Sequence, residues 1–144
     1  MLLTSNKEFA FRSSCERGHL HIAKWLYSLE NIDIHMDNDY AFYWSCTFGH
    51  LEVAKWLYSL DYINIHLFHA SVGCFRHLIV VKWLYSLDIN IHSNKEYAFC
   101  WYCKNGNLEV AQWLYSLGNI NIHVNDDNIF NNYPANITNW LNNL

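Results

Sequence analysis

The sequence predicts an all-α array of stacked helix pairs, and three observations carry that expectation. The string Lys-Trp-Leu-Tyr-Ser-Leu occurs at Lys24–Leu29, Lys55–Leu60 and Lys82–Leu87, with a near copy at Gln112–Leu117. The marker residues Trp25, Trp56, Trp83 and Trp113 are 31, 27 and 30 residues apart, and self-similarity at a period near 30 is the mark of a repeat architecture. A turn residue (Gly18, Gly49, Arg76, Gly106) stands just ahead of each marker segment, with apolar residues at helical spacing around it. Such an array offers a surface rather than a pocket built around one reaction.

Each unit divides into three parts. A short first helix opens on Phe9-Ala10-Phe11, Tyr40-Ala41-Phe42 or Tyr97-Ala98-Phe99 and runs to Arg17-Gly18-His19, Phe48-Gly49-His50 or Asn105-Gly106-Asn107. Glycine there suits a left-handed turn at a helix C-terminus. A second helix follows at once. In Leu51–Leu60 the residues Leu51, Val53, Ala54, Leu57, Tyr58 and Leu60 form a wide apolar arc, opposite Glu52, Lys55 and Ser59. The tail then alternates, as in Ile32-Asp33-Ile34-His35, Ile63-Asn64-Ile65-His66, Ile89-Asn90-Ile91-His92 and Ile120-Asn121-Ile122-His123. Alternating β-branched and polar residues predict an extended, strand-like finger. Neither helix can bury its apolar face within one unit, so the units must stack.

The chain is expected to be a single domain over 1–144, with units at about 8–35, 39–66, 67–92 and 96–123 and a degenerate cap over 124–144. The third unit is clipped. Ten residues separate His66 from Arg76, whereas fourteen separate His35 from Gly49 and His92 from Gly106. The missing four residues amount to about one helical turn, which predicts a shortened first helix and a weak point at 66–76. Arg12-Ser13-Ser14 is more polar than Tyr43-Trp44-Ser45, and the expectation is a polar outer face on a terminal unit. After His123 a fifth unit begins and breaks at Pro134, leaving a tail that can form a short closing helix or fray.

Composition narrows the function. The 144 residues are 52% hydrophobic and 17% aromatic, the reverse of a disordered chain. A net charge of −4, with no run of like sign, supplies no footprint for nucleic acid or anionic lipid. No apolar stretch suits a signal peptide or a membrane span, so a soluble intracellular protein is expected. The five cysteines point to a reducing compartment without disulfides: Cys15, Cys46 and Cys103 each stand ten residues before a marker tryptophan, in one structural slot. Outside a secretory route, the sequon Asn136-Ile137-Thr138 is idle.

The order helix, Gly-His turn, helix and finger resembles that of ankyrin repeats. Gly49-His50-Leu51-Glu52-Val53-Ala54-Lys55 resembles the start of the family's second helix, and Asp88-Ile89-Asn90-Ile91-His92 stands where its Gly-Ala-Asp-Val-Asn tail would be. The resemblance covers about residues 8–123 and is most specific from Gly49 to Leu60. It implies an ankyrin-repeat solenoid that binds protein partners on its concave face and fingertips. The family's Thr-Pro-Leu-His opening is replaced by Tyr40-Ala41-Phe42-Tyr43 and its equivalents, which shifts cohesion toward aromatic packing. This variant is similar to ankyrin proteins encoded by giant viruses of amoebae, which implies a host protein as partner.

The chemistry-bearing residues have architectural readings. Cys100-Trp101-Tyr102-Cys103 is a lone Cys-x-x-Cys with no second pair, and reads as two helix residues rather than a redox or zinc site. The in-register His35, His66, His92 and His123 belong to layers about 8–10 Å apart, too far for one ion. His19, His50 and His77 are expected to satisfy backbone groups at the turn, and Ser28, Ser59, Ser86 and Ser116 recur as architecture. No nucleophile with its base, phosphate-cradling loop or carboxylate pair is present, so no catalytic, cofactor or metal residue is expected.

Trp44 and Trp101 share one first-helix position. In the ankyrin layout it faces the concave surface, while its recurrence also suits stacking between units. The candidate partner-binding residues are Tyr43, Trp44, Phe48, Phe75 and Trp101, with Lys95 near a fingertip. The expected function is non-catalytic protein binding by a monomer, without cofactor, nucleic acid or membrane. The alternative is a shortened, decaying repeat protein that keeps its fold but has no specific partner.

Overall fold

The computed structural model describes residues 2–29, 31–65, 76–87, 95–122 and 132–144. Among them are eight helices and no strand: α1 Leu2–Glu16, α2 Leu20–Ser28, α3 Met36–Thr47, α4 Leu51–Leu60, α5 Leu78–Ser86, α6 Lys95–Lys104, α7 Leu108–Ser116 and α8 Ala135–Leu141. The pairs α1/α2, α3/α4 and α6/α7 pack as hairpins, α1 lies against α3, and α5 lies against α7. Of the clipped segment of the third unit, residues 66–75 lie outside the described residues.

The turn glycines act as their sequence position predicts. Gly18, Gly49 and Gly106 have φ of 76°, 81° and 73°. His19 N–H donates to Ser14 C=O at 2.8 Å, His50 N–H to Ser45 C=O at 2.8 Å, and Asn107 N–H to Tyr102 C=O at 2.9 Å. The glycine N–H groups donate to the carbonyls of Cys15, Cys46 and Cys103 at 3.0–3.1 Å, completing Schellman turns. The recurring cysteine therefore sits in the last turn of each first helix, with all three side chains fully buried.

The histidines after the turns have a different role from the one expected. His19, His50 and His77 make no side-chain cap hydrogen bond. Instead the His50 ring fills the hollow over Gly18, and the His77 ring lies where a Cβ on Gly49 would be, 2.6 Å from its own Cγ. Each glycine thus supplies both a left-handed φ and clearance for the next unit's imidazole. Asn107 does cap its helix, accepting from Val110 N–H at 3.5 Å, and its Nδ2 donates to Arg76 C=O at 2.9 Å.

A second seam joins the units. Tyr27, Tyr58, Tyr85 and Tyr115 lie edge-on to Trp56, Trp83, Trp113 and Trp140, with centroids 5.7, 5.8, 5.4 and 5.8 Å apart and interplanar angles of 88–90°. Phe11, Phe42 and Phe99 reach the same rings at 6.2–6.3 Å. The ammonium groups of Lys24 and Lys82 lie over Trp56 and Trp113 at 6.0 and 5.9 Å. Edge-to-face pairs add about 0.5–1.5 kcal/mol each beyond area burial. Because these residues recur at one period, a single geometry repeats four times.

Trp140 is therefore a fifth marker, and α8 takes the place of a fifth second helix. Ile137 and Leu141 are buried as Val110 and Leu114 are. Asn136 Nδ2 donates to Gly106 C=O at 3.1 Å, so the sequon asparagine is a tie between layers.

Several expectations change. α1 begins at Leu2, well before Phe9, so the first unit's opening helix has 15 residues. The fingers alternate inward and outward as predicted, with Ile63 and Ile65 buried, but their described residues form turns and irregular chain without strand pairing. Arg12-Ser13-Ser14 is not an outer polar face. Arg12 pairs with Asp37 and lies 5.1 Å over the Tyr40 ring, while buried Ser14 donates to Ala10 C=O at 2.7 Å. The recurring serines are architectural: Ser28, Ser59, Ser86 and Ser116 each donate to the marker tryptophan's carbonyl at 2.6 Å, closing the last helical turn.

Candidate protein-binding surface

One face of α3 gathers aromatic rings that contact one another. Trp44 stacks on Phe48 at 5.5 Å and 23°, meets Tyr43 edge-on at 5.3 Å and 84°, and lies 5.7 Å from Tyr40. Residues 40, 44 and 48 are i, i+4 and i+8, one stripe of a helix. Phe48 is 45% exposed, because the chain turns at Gly49 and leaves its ring at the helix end. Among the described residues, every ring contact of Trp44 stays within its own helix and C-cap. The seam tryptophans are those of the second helices.

Beside this stripe, α1 and α3 enclose a shallow cavity of about 220 Å³ lined by Phe9, Arg12, Ser13, Glu16, Arg17 and Tyr40. Tyr40 belongs to both features, so cavity and stripe are one continuous surface. Phe9, Arg12 and Tyr40 were not among the binding candidates read from the sequence. A signal was available, since Phe9, Tyr40 and Tyr97 share one slot at the opening of the first helix, and Phe9 and Tyr97 are 66% and 67% exposed.

Of the sequence candidates, Tyr43, Trp44 and Phe48 come together. Trp101 and Lys95 belong to α6. Trp101 is half-buried and edge-on to Tyr102 at 5.6 Å, and Lys95 is half-buried at the first position of the helix. Phe75 lies outside the described residues.

Polar groups border the surface at the first fingertip. Asp37, Asn38 and Asp39 all have left-handed φ, of 55°, 57° and 58°. Such backbone costs about 1–2 kcal/mol per residue, and Asn and Asp tolerate it best among side-chain-bearing residues. Two ties hold the turn: Arg12 to Asp37, and His35 Nδ1 to Asp39 Oδ1 at 2.5 Å. His35 Nε2 also faces Asp61 Oδ2 at 3.5 Å, bridging successive fingers. The hydrogen bond to Asp39 raises the His35 pKa, and Asp61 adds to it. Glu8 and Glu96 occupy one slot and accept from the finger backbone, at Asp33 N–H (3.1 Å) and Asn121 N–H (3.4 Å).

No family model, curated protein or solved structure matches this chain. The functional reading therefore rests on sequence pattern and geometry.

The buried cysteines of the shared slot, Cys15, Cys46 and Cys103, have little nucleophilic character. Burial pushes the Cys15 thiol up to about 12. Burial, then the neighbouring Cys100, does the same for Cys103, which also rises to about 12. A reactive cysteine requires the opposite shift. Tyr133 of the closing segment is raised by burial and then by Cys100, to which it is hydrogen-bonded. Among the described residues, no group of three or more His, Cys, Asp or Glu side chains could hold a metal ion, and no helix is long and apolar enough to cross a membrane.

Proposed function

We propose that the chain is an ankyrin-like solenoid that binds a protein partner, without catalysis, on the face built by its first helices and fingertips. The observation that carries this reading is the stripe Tyr40–Trp44–Phe48, flanked by Tyr43 and continuous with the Phe9–Arg17 cavity. It consists of large rings left half-open to solvent while equivalent rings on the second helices are spent on cohesion. Rigid aromatic side chains in a partly closed setting are the usual anchors of protein interfaces. Arg17 and Glu16 at the cavity wall, with the acidic fingertip, would supply selectivity more than affinity. The regular spacing of the Tyr–Trp seams supports a stacked solenoid, and the buried, raised thiols favour a binding role over a catalytic one. The resemblance to repeat proteins of amoeba-infecting viruses points to an intracellular host protein as the partner.

The test compares proteins captured from amoebal lysate by the wild-type chain and by Trp44→Ala/Phe48→Ala, with thermal melts of both. A specific partner should be lost at least about tenfold on the variant, since truncating an interface anchor costs about 2 kcal/mol or more. The melt should stay cooperative. Identical capture by both chains would refute the assignment of this surface. A broad, non-cooperative melt of the wild type with no captured protein would favour the decaying-repeat alternative.

A further inference from the structure

The seam contact that repeats four times within the chain is left half-made at its first unit. Trp56, Trp83, Trp113 and Trp140 are each covered by the preceding unit's tyrosine, whereas Trp25 is 60% exposed. The slot three residues before each marker gives the same contrast. Val53, Val80, Val110 and Ile137 are 2%, 0%, 0% and 0% exposed, while Ile22 is 48% exposed. Ile22 and Trp25 stand at i and i+3, so they line one side of α2.

The chain itself shows what fits such a face. Each covered tryptophan receives a tyrosine edge from the preceding second helix. At Trp56 and Trp113 it also receives the ammonium of a lysine three residues before that tyrosine. The helix α8 lacks those groups. In α8 and its cap, Asn142 occupies the tyrosine slot and Asn139 the lysine slot, and both are exposed. α8 with its cap is thus polar at the two slots that cover a tryptophan elsewhere in the chain. A face-to-face pair of copies would set Trp25 against its own equivalent, with no tyrosine edge.

From this asymmetry we infer that the outer face of α2, at Ile22 and Trp25, docks the second helix of a further repeat unit of this same design. The docked helix presents Lys-x-x-Tyr, with the tyrosine edge on Trp25 and the ammonium over its ring. The result is a longer array, with the added seam built like the seams within. This surface is separate from the α3 stripe, so either assignment can fail alone.

A full-length probe carrying Asn139→Lys, Asn142→Tyr and Trp25→Ala tests the inference. The first two changes build the missing groups on an exposed helix end, and the third prevents the probe from binding itself. Mixed with the wild-type chain in sedimentation velocity, the probe should form a one-to-one complex. Trp25→Ala or Ile22→Asp in the wild-type partner should weaken it by about tenfold or more. Trp44→Ala/Phe48→Ala in that partner should leave it unchanged. Circular dichroism melts verify folding. If the triple variant is unfolded, Asn142→Tyr/Trp25→Ala serves as the probe with the same expected outcome. No complex with a folded probe would overturn the inference. So would a complex insensitive to Trp25→Ala, or self-association of the wild-type chain through Trp25, which would make a second copy the occupant.

Discussion

Replacing Gly49 by alanine tests the seam between the second and third units. Gly49 has φ +81°, so an alanine there takes on the left-handed penalty of about 1–2 kcal/mol. Gly118 has nearly the same φ, +79°, but nothing lies within 4 Å of a Cβ added to it, so Gly118→Ala isolates that penalty. At Gly49 the added Cβ would lie 2.6 Å from His77 Cγ and 2.7 Å from Nδ1. Ordinary contact is about 3.5–4.0 Å, so the overlap approaches ~1 Å. Cγ is the first atom beyond the histidine's own Cβ, and the ring cannot step aside without turning χ1 or moving the next layer. Forced overpacking of this kind costs about 1–3 kcal/mol. Gly49→Ala should therefore cost about 2–5 kcal/mol and Gly118→Ala about 1–2, measured by urea unfolding with circular dichroism and tryptophan fluorescence. In a His77→Ala background the Gly49→Ala cost should fall to the Gly118 value. Equal costs at the two glycines, or a Gly49 cost that persists without His77, would refute the argument that the imidazole fills the glycine hollow.

Two further outcomes follow from the titrating groups. At pH 8 a thiol raised to about 12 by burial is thiolate in roughly one molecule in ten thousand, so Cys15 and Cys103 should resist a thiol reagent until the chain unfolds. Cys46, raised further still by burial, should do the same. Peptide mapping after brief native labelling checks this, and rapid modification at any of the three would contradict it. His35 has a folded pKa raised by its Asp39 bond, so its contribution is complete below its ordinary value of 6.5 and is lost as pH rises through the raised value. The side chain is 40% exposed, and solvent screening holds the effect to a few tenths of a kcal/mol. Asp61, lowered first by the Tyr62 N–H and then by His35, acts in the other direction: its contribution is present above 3.8 and fades as pH falls through the lowered value. Urea midpoints should form a plateau between about pH 4 and 6.5 and decline as pH rises further, and His35→Gln should abolish the alkaline decline.

Much of the fold was legible because the repeat makes the same statement several times. The glycine turns, the paired helices, the shared cysteine slot and the closing serines each recur in register, and local chemistry alone determines them. The features that escaped depend on neighbours. Whether Arg12 points outward or toward the next unit is decided by Asp37 and Tyr40, 25 and 28 residues on. His50 could be a cap or a filler, and only the hollow over Gly18 selects between them. Trp140 escaped because the serine and tyrosine of the marker string are absent around it, although it follows Trp113 by 27 residues, the interval from Trp56 to Trp83. Within the candidate surface, Tyr43, Trp44 and Phe48 were visible as aromatics at helical spacing. The cavity was not visible, because its walls come from two helices whose relative placement no single unit encodes. The left-handed Asp37-Asn38-Asp39 turn was legible as polar residues but not as a conformation, since its cost is offset by Arg12 and His35 from outside the turn.

The cross-layer ties share a short reach. Arg12 to Asp37, His35 to Asp61, Asn107 to Arg76 and Asn136 to Gly106 join residues 25, 26, 31 and 30 apart, and none of these four skips a layer. A chain wired this way has no distant clasp among its described residues to resist tension. Pulled by its ends, it should come apart layer by layer, each rupture releasing roughly 100 Å of contour from about 30 extended residues. A single rupture releasing the whole length would mean that the layers are bound together by something other than their nearest neighbours.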